Sequence, residues 1–269
     1  MDPSSYRATP PKFVRLYDGT GSDSIEVETL AEFLRRRVPS VDVEVFDDFL
    51  SECLARAGEE LREQTARRIA KARVRDPERA ADEDDPIPGE VEYEKRFLTA
   101  GGEKPSGLLY DGHMLLEAFA QLLHADEVLP TICHVVLTNQ LFGTRPKVGR
   151  YHARVSLYGV PSLISTSGLV QAPARPREYY TATSVGSGGS NIPDELRERY
   201  LSENDPRAHE ALKGYLFQAL FYHATGEPFC DDESCRLFNA HWQEELLRAQ
   251  VGEQAGLCQR HQEILERWE

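Results

Sequence analysis

The sequence predicts an α/β fold, a twisted mixed sheet covered by helices and followed by a helical C-terminal subdomain. Three observations predict it. A strand, helix, strand succession opens the chain, short apolar runs of strand length recur through its middle, and amphipathic helical segments dominate the last third.

The first strand is expected at 13–17. The segment 25–38 follows with Val27, Leu30, Ala31, Leu34 and Val38 at helical spacing, and VDVEVF at 41–46 supplies the second strand, separated from the helix by Pro39 and Ser40. Such a βαβ opening implies parallel pairing. Residues 49–74 read as one long charged helix whose apolar stripe includes Leu50, Cys53, Leu54 and Leu61. The stretch 76–92, DPERAADEDDPIPGEVE, mixes prolines with a block of acids and is expected to be an exposed loop. A helix over 110–123 has Asp111 as its N-cap and Leu115, Leu116, Phe119 and Leu122 toward a core. Strands are expected at 132–137, 153–158 and Ser162–Ser165, and 161–180 reads as an extended segment over the sheet. The glycine-rich piece 184–190 lacks the Lys-Ser or Lys-Thr of a phosphate-binding loop and reads as a flexible connector. Helices are then expected over 208–225, over 239–250 and from 261 onward, so the chain divides into a sheet region, 1–206, and a helical subdomain, 207–269, within one continuous domain.

A net charge of -14 argues against nucleic-acid partners, which need a basic footprint. Six of the 31 basic residues are lysine and the rest arginine, an acidic, lysine-poor balance like that of proteins from salt-loving archaea. No apolar run is long enough to span a membrane and the N-terminus has no apolar signal core, so a cytoplasmic protein is expected.

The cysteines are unevenly placed. Cys53 and Cys133 sit among apolar neighbours and read as small buried hydrophobes. The other three lie within a hydrophilic stretch, and Cys230-x4-Cys235 with Cys258-x2-His261 form two close pairs. Zinc takes thiolate and imidazole ligands in tetrahedral sets of four, and each short loop supplies two corners. Gly226 and Pro228 precede one pair, Gly252 and Gly256 the other, so both fall on turns. One structural zinc on Cys230, Cys235, Cys258 and His261 is therefore expected; a Cys230 to Cys235 disulfide and three unrelated thiols are the alternatives. His241 is an alternative to His261 as fourth ligand, but placed mid-helix beside Trp242 it reads as a surface or packing residue.

The run ALFYHATGEPFC at 219–230 resembles the active-site helix of the archaemetzincins, zinc peptidases with the signature H-E-x-x-H-x-x-G-x-x-H-C. Cys230, Cys235 and Cys258 match that family's structural cysteines, His261 replaces the last one, and Leu237 occupies its methionine position. The resemblance implies a metzincin-like sheet with a catalytic helix beneath it. Ala219, Leu220 and Phe229 stand where the first His, the Glu and the third His belong, leaving His223 and Gly226. A lone imidazole does not hold a catalytic zinc, and leucine is no base. His209 is too far along the helix from His223 to share an ion with it, and Glu210 and Lys213 read as a solvated face.

The expectation is a pseudoenzyme with a structural zinc and a binding role toward a peptide or protein. Two rivals are carried: a working metallopeptidase with an unorthodox site built on His223, and a dinucleotide-binding protein using the turn Gly19-Thr20-Gly21-x-x-Ser24 with Asp47 after the next strand.

Overall fold

The computed structural model describes residues 9–55, 57–100, 107–185 and 192–268. The opening is the expected βαβ unit: β1 (Phe13–Gly19), α1 (Val27–Arg37) and β2 (Asp42–Phe46), with β1 parallel to β2. On its other side β1 pairs in parallel with β4 (Ile132–Thr138), and β4 with β8 (Ser162–Ser165); β7 (Ser156–Leu157) closes the sheet antiparallel, giving the order β2-β1-β4-β8-β7. A second sheet has β3 (Leu109–Asp111) parallel to β5 (Leu141–Thr144) and β5 antiparallel to β6 (His152–Arg154).

The five-stranded sheet is buried on both faces, which is why its central strands read as nearly unbroken apolar runs. Val14, Leu16, Val135, Leu137 and Ile164 enter one hydrophobic core, while Tyr17, Val136 and Leu163 enter the other. The alternation follows from successive side chains pointing to opposite faces. The first core is shared with α1, α9 (Arg207–Thr225), α10 (Gln243–Gln250) and α11 (Gln259–Glu266), so the C-terminal region packs directly on the sheet. No described helix is long and apolar enough to cross a membrane.

The second core shows where patterning misleads. The single helix expected over 49–74 is two: α2 (Phe49–Leu54), capped where the Ser51 N–H donates to Asp48 at 3.1 Å, and α3 (Glu59–Lys71), whose N-cap is Gly58. Leu61 is exposed, and α3 instead buries Thr65, Ala66, Ile69 and Ala70. The acidic stretch 76–92 is not all loop: it holds a 3-10 turn at Ala81–Glu83 and the first turn of α4 (Pro88–Ala100). Proline suits a first helical position because its missing N–H has no partner there anyway. The acids are matched from α3 and the residues after it. Arg75 pairs with Glu90, and the Arg73 Nε donates to Glu94 at 2.6 Å in the interior, where the Tyr110 hydroxyl also donates to that carboxylate.

Asp111 is the N-cap expected for α5 (Gly112–Ala120), accepting from the Met114 N–H at 2.9 Å, although Tyr110 belongs to β3. The strand expected over 153–158 is split between β6 and β7, in different sheets. Segment 161–180 is not extended over the sheet. After β8, the Ser165 hydroxyl caps α6 (Thr166–Gln171), and α7 (Arg177–Val185) follows. Most of the 184–190 connector lies outside the described residues. A short α8 (Asp194–Arg197) leads into α9, which is buried on nearly all sides.

Candidate metal centre and cleft

Helix α9 stops at Gly226, which adopts φ 78°, a left-handed conformation that a side chain disfavours. The chain then turns so that Cys230 bridges to Phe238, with the Cys230 N–H donating to the Leu237 carbonyl at 2.9 Å. Between them Asp232 accepts from the Ser234 N–H and hydroxyl, and its carbonyl accepts from the Cys235 N–H. Cys235 is bridged in turn to Gly256. Cys258 is the N-cap of α11 and His261 lies in its first turn, and a three-residue spacing puts both on one side of the helix.

The local turns bring the four side chains together: one ligand atom from each of Cys230, Cys235, Cys258 and His261 lies within 4.8 Å of the others. The Cys230 and Cys258 sulfurs are 3.8 Å apart, and the His261 Nδ1 is 3.8 Å from the Cys235 sulfur and 3.1 Å from that of Cys258. A tetrahedron with zinc to sulfur bonds near about 2.3 Å has edges of about 3.8 Å, so the spacing fits the ion. No disulfide forms; all five cysteines are free thiols. The Asp232 N–H points at the Cys230 sulfur, and those of Leu237 and Cys258 point at the Cys235 sulfur, at 3.4 to 3.5 Å. Such donors favour the thiolate form.

Burial pushes the Cys235 thiol up to about 12, and burial raises Cys230 as well, with the neighbouring Cys258 sulfur adding to it. A divalent ion among the sulfurs offsets both effects. Burial, reinforced by Arg260, lowers the His261 pKa, so its ring stays neutral, the form that ligates a metal. The Phe221 ring packs edge-on against it at 5.3 Å.

Beside this centre lies a cleft of about 490 Å³ between the edge strand β6, the residues after β7, helix α9 and the loop preceding α10. Its floor on α9 is Tyr215, Gln218 and Tyr222. Gln218 is buried and fully used: its Oε1 accepts from the Tyr158 hydroxyl at 2.5 Å, and its Nε2 donates to the Arg236 and Phe238 carbonyls at 3.2 Å. Gln250 donates to the same Arg236 carbonyl at 2.9 Å, so the loop bearing Cys235 is tied to the cleft floor. Phe229, adjacent to Cys230, meets Tyr158 edge-on at 5.8 Å and lines the cleft.

The positions singled out on α9 are dispersed. Ala219 and Leu220 are in the core, and the His223 Nε2 is hydrogen-bonded to the Pro130 carbonyl at 2.8 Å, tying α9 to the entry of β4 rather than lining the cleft. The cleft-facing set is offset by one residue from the 219, 223 pair, about 100° around the helix. Glu210 is not a solvated residue; it pairs with both Lys213 and the buried Arg236. His241 is not helical, since α10 begins at Gln243, and it lines the cleft with His113. Composition gave no signal for Tyr158 and Gln218, because the segment after β7 and helix α9 bring them together from 60 residues apart. At the proposed dinucleotide turn, the Thr20 N–H and hydroxyl both donate to the Asp18 carboxylate, which occupies the donors a pyrophosphate would need.

The architecture is mixed α/β, with a cluster of three cysteines and one histidine and a cleft adjoining it. More particularly, residues 10–268 match a family described as a probable metallopeptidase family (DUF6775), and the chain belongs to it. No curated protein matches the chain. Among solved structures it is similar to archaemetzincin from Methanopyrus kandleri, with 12% identity over 97% of each chain and a TM-score of 0.44.

Proposed function

We propose that this chain is a non-hydrolytic member of its family, in which one zinc on Cys230, Cys235, Cys258 and His261 staples the C-terminal region beside a peptide-binding cleft. The observation that carries the reading is the division of labour around α9. Its cleft face presents Tyr215, Gln218 and Tyr222, and the one metal-ligand cluster found among the described residues is the Cys3His set next to the cleft. Four protein ligands leave zinc no open position for water, so the ion supplies folding free energy. The protein's own groups do the rest: Gln218 and Gln250 fix the Cys235 loop against the floor, and Phe229 and Tyr158 wall the cleft. The family description favours a second reading, a working metallopeptidase that recruits His223.

Purified protein assayed for metal and for casein cleavage separates the two. One zinc per chain and no cleavage above a heat-treated control is the expected result. Two zinc ions with chelator-sensitive cleavage would establish the second reading.

A further inference from the structure

The residues lining the cleft include Arg154, His113 and His241 and no carboxylate, in a chain whose net charge is -14. Arg154 is set for a ligand. Its Nε donates to the Thr144 hydroxyl at 2.8 Å, which fixes the plane of the guanidinium, and neither Nη atom has a hydrogen-bond or ion-pair partner among the described residues. Fork-shaped pairing of two such nitrogens with a carboxylate is the geometry arginine favours. Behind it the wall is aromatic, with Tyr158 against Tyr222 at 5.7 Å and against Phe229 at 5.8 Å, Phe229 being 43% exposed. A large ring on a ledge open to solvent gives another ring something to pack on.

A volume of about 490 Å³ matches pockets that enclose one drug-sized ligand, roughly 300 to 1,000 Å³, rather than a long internal segment of chain. We infer that the cleft binds the C-terminal end of a peptide whose last residue is aromatic, the ring lying on Tyr158, Tyr222 and Phe229 and the terminal carboxylate pairing with Arg154. A residue at a chain end carries both groups at once, which matches an aromatic wall and a guanidinium on one small cavity. This rests on the proposal that the cleft is a peptide site, and narrows it to a ligand class. His113 and His241 line the same cleft, their rings without hydrogen bonds to described residues, and are further donors for a carboxylate.

The test is titration calorimetry on the full-length protein with four acetylated tripeptides: Gly-Gly-Phe with a free C-terminus, the same peptide amidated, Gly-Gly-Ala with a free C-terminus, and amidated Gly-Glu-Phe. The first is expected to bind at least tenfold more tightly than each of the others. That order opposes the global field, because a protein of charge -14 attracts the less negative amide. In Arg154→Gln, an exposed position whose replacement leaves the core intact, the free acid and the amide are expected to bind alike, and Arg154→Lys to restore part of the difference. Equal binding of free acid and amide by the unaltered protein overturns the inference. Tighter binding of the Glu-containing amide replaces the chain end with an acidic side chain and overturns it too. If none of the peptides binds, the peptide-site reading fails along with it, whereas tight binding of all four sinks this inference alone.

Discussion

Removing the metal should cost the fold a definite amount. Cys230 and Cys258 are 28 residues apart in sequence, and the cluster closes that loop in the folded state. Cross-linking a loop of this length restricts the unfolded chain by about 3.5 kcal/mol on the chain-entropy scale. That is a floor, since structural zinc in small peptides is worth roughly 10 to 16 kcal/mol, part of which metal binding to the unfolded thiols cancels. For a chain of 269 residues each kcal/mol moves the midpoint by roughly 2 °C, the lower end of the range for large domains, so stripping the ion should lower Tm by about 7 °C or more. Scanning calorimetry of the zinc-loaded protein, with and without a zinc-specific chelator, reads the shift, and re-addition of zinc should reverse it. The loss should begin in α10 and α11, where Leu246, Leu265 and the following Trp268 join the first core, and hydrogen exchange on those helices would show it first. A shift of under about 2 °C would refute the claim that the ion holds this region.

Other consequences follow from packing and charge. Gly214 on α9 lies so close to Gln250 that a Cβ would sit 1.6 Å from its Oε1, and Gln250 is buried and bonded to Arg236. Gly214→Ala should cost about 1 to 3 kcal/mol in urea melts, whereas Gly89→Ala, with open space around it, should be within about 0.5 kcal/mol of the parent. Arg73→Leu strands the Glu94 carboxylate in the interior and should cost about 3 to 5 kcal/mol, with Arg73→Leu plus Glu94→Leu less destabilising than the single change. His134 is buried between the Tyr17 hydroxyl and the Glu127 carbonyl, and burial lowers its pKa. The unfolded chain therefore binds the proton more readily, and the stability this group contributes is present above the ordinary histidine value near about 6.5 and lost as pH falls below it. Between pH 7.5 and 5.5 the fall in Tm should be smaller in His134→Gln than in the parent.

Local sequence logic made the opening βαβ unit, the Asp111 cap and the clustering of Cys230, Cys235, Cys258 and His261 legible, because each depends on neighbours within a few residues: alternation, a cap three positions from its N–H, close pairs on turns. Tertiary balance was not legible. The acids of 76–92 look like a solvated run until Arg75 is placed beside Glu90, as Arg73 is beside Glu94 just after the stretch. Leu61 fits a helical stripe only if 49–74 is one helix, and the break before Gly58 rotates α3 so that Ile69 and Ala66 face inward instead. On α9 the signature spacing drew attention to 219 and 223, whereas the direction of the cleft is set by how the whole helix packs, and it lines that space with 215, 218 and 222. Arg154 gave no signal either, since an exposed arginine on a short edge strand is unremarkable until the strand is seen beside an aromatic wall.

The central claim is that the chain's one metal sits on the cysteines and not on α9. Metal content per chain, measured by mass spectrometry on the parent, Cys235→Ser and His223→Ala, tests it directly. The account predicts one zinc in the parent, close to none in Cys235→Ser and one in His223→Ala. Two zinc ions in the parent, one of them missing from His223→Ala, would contradict it.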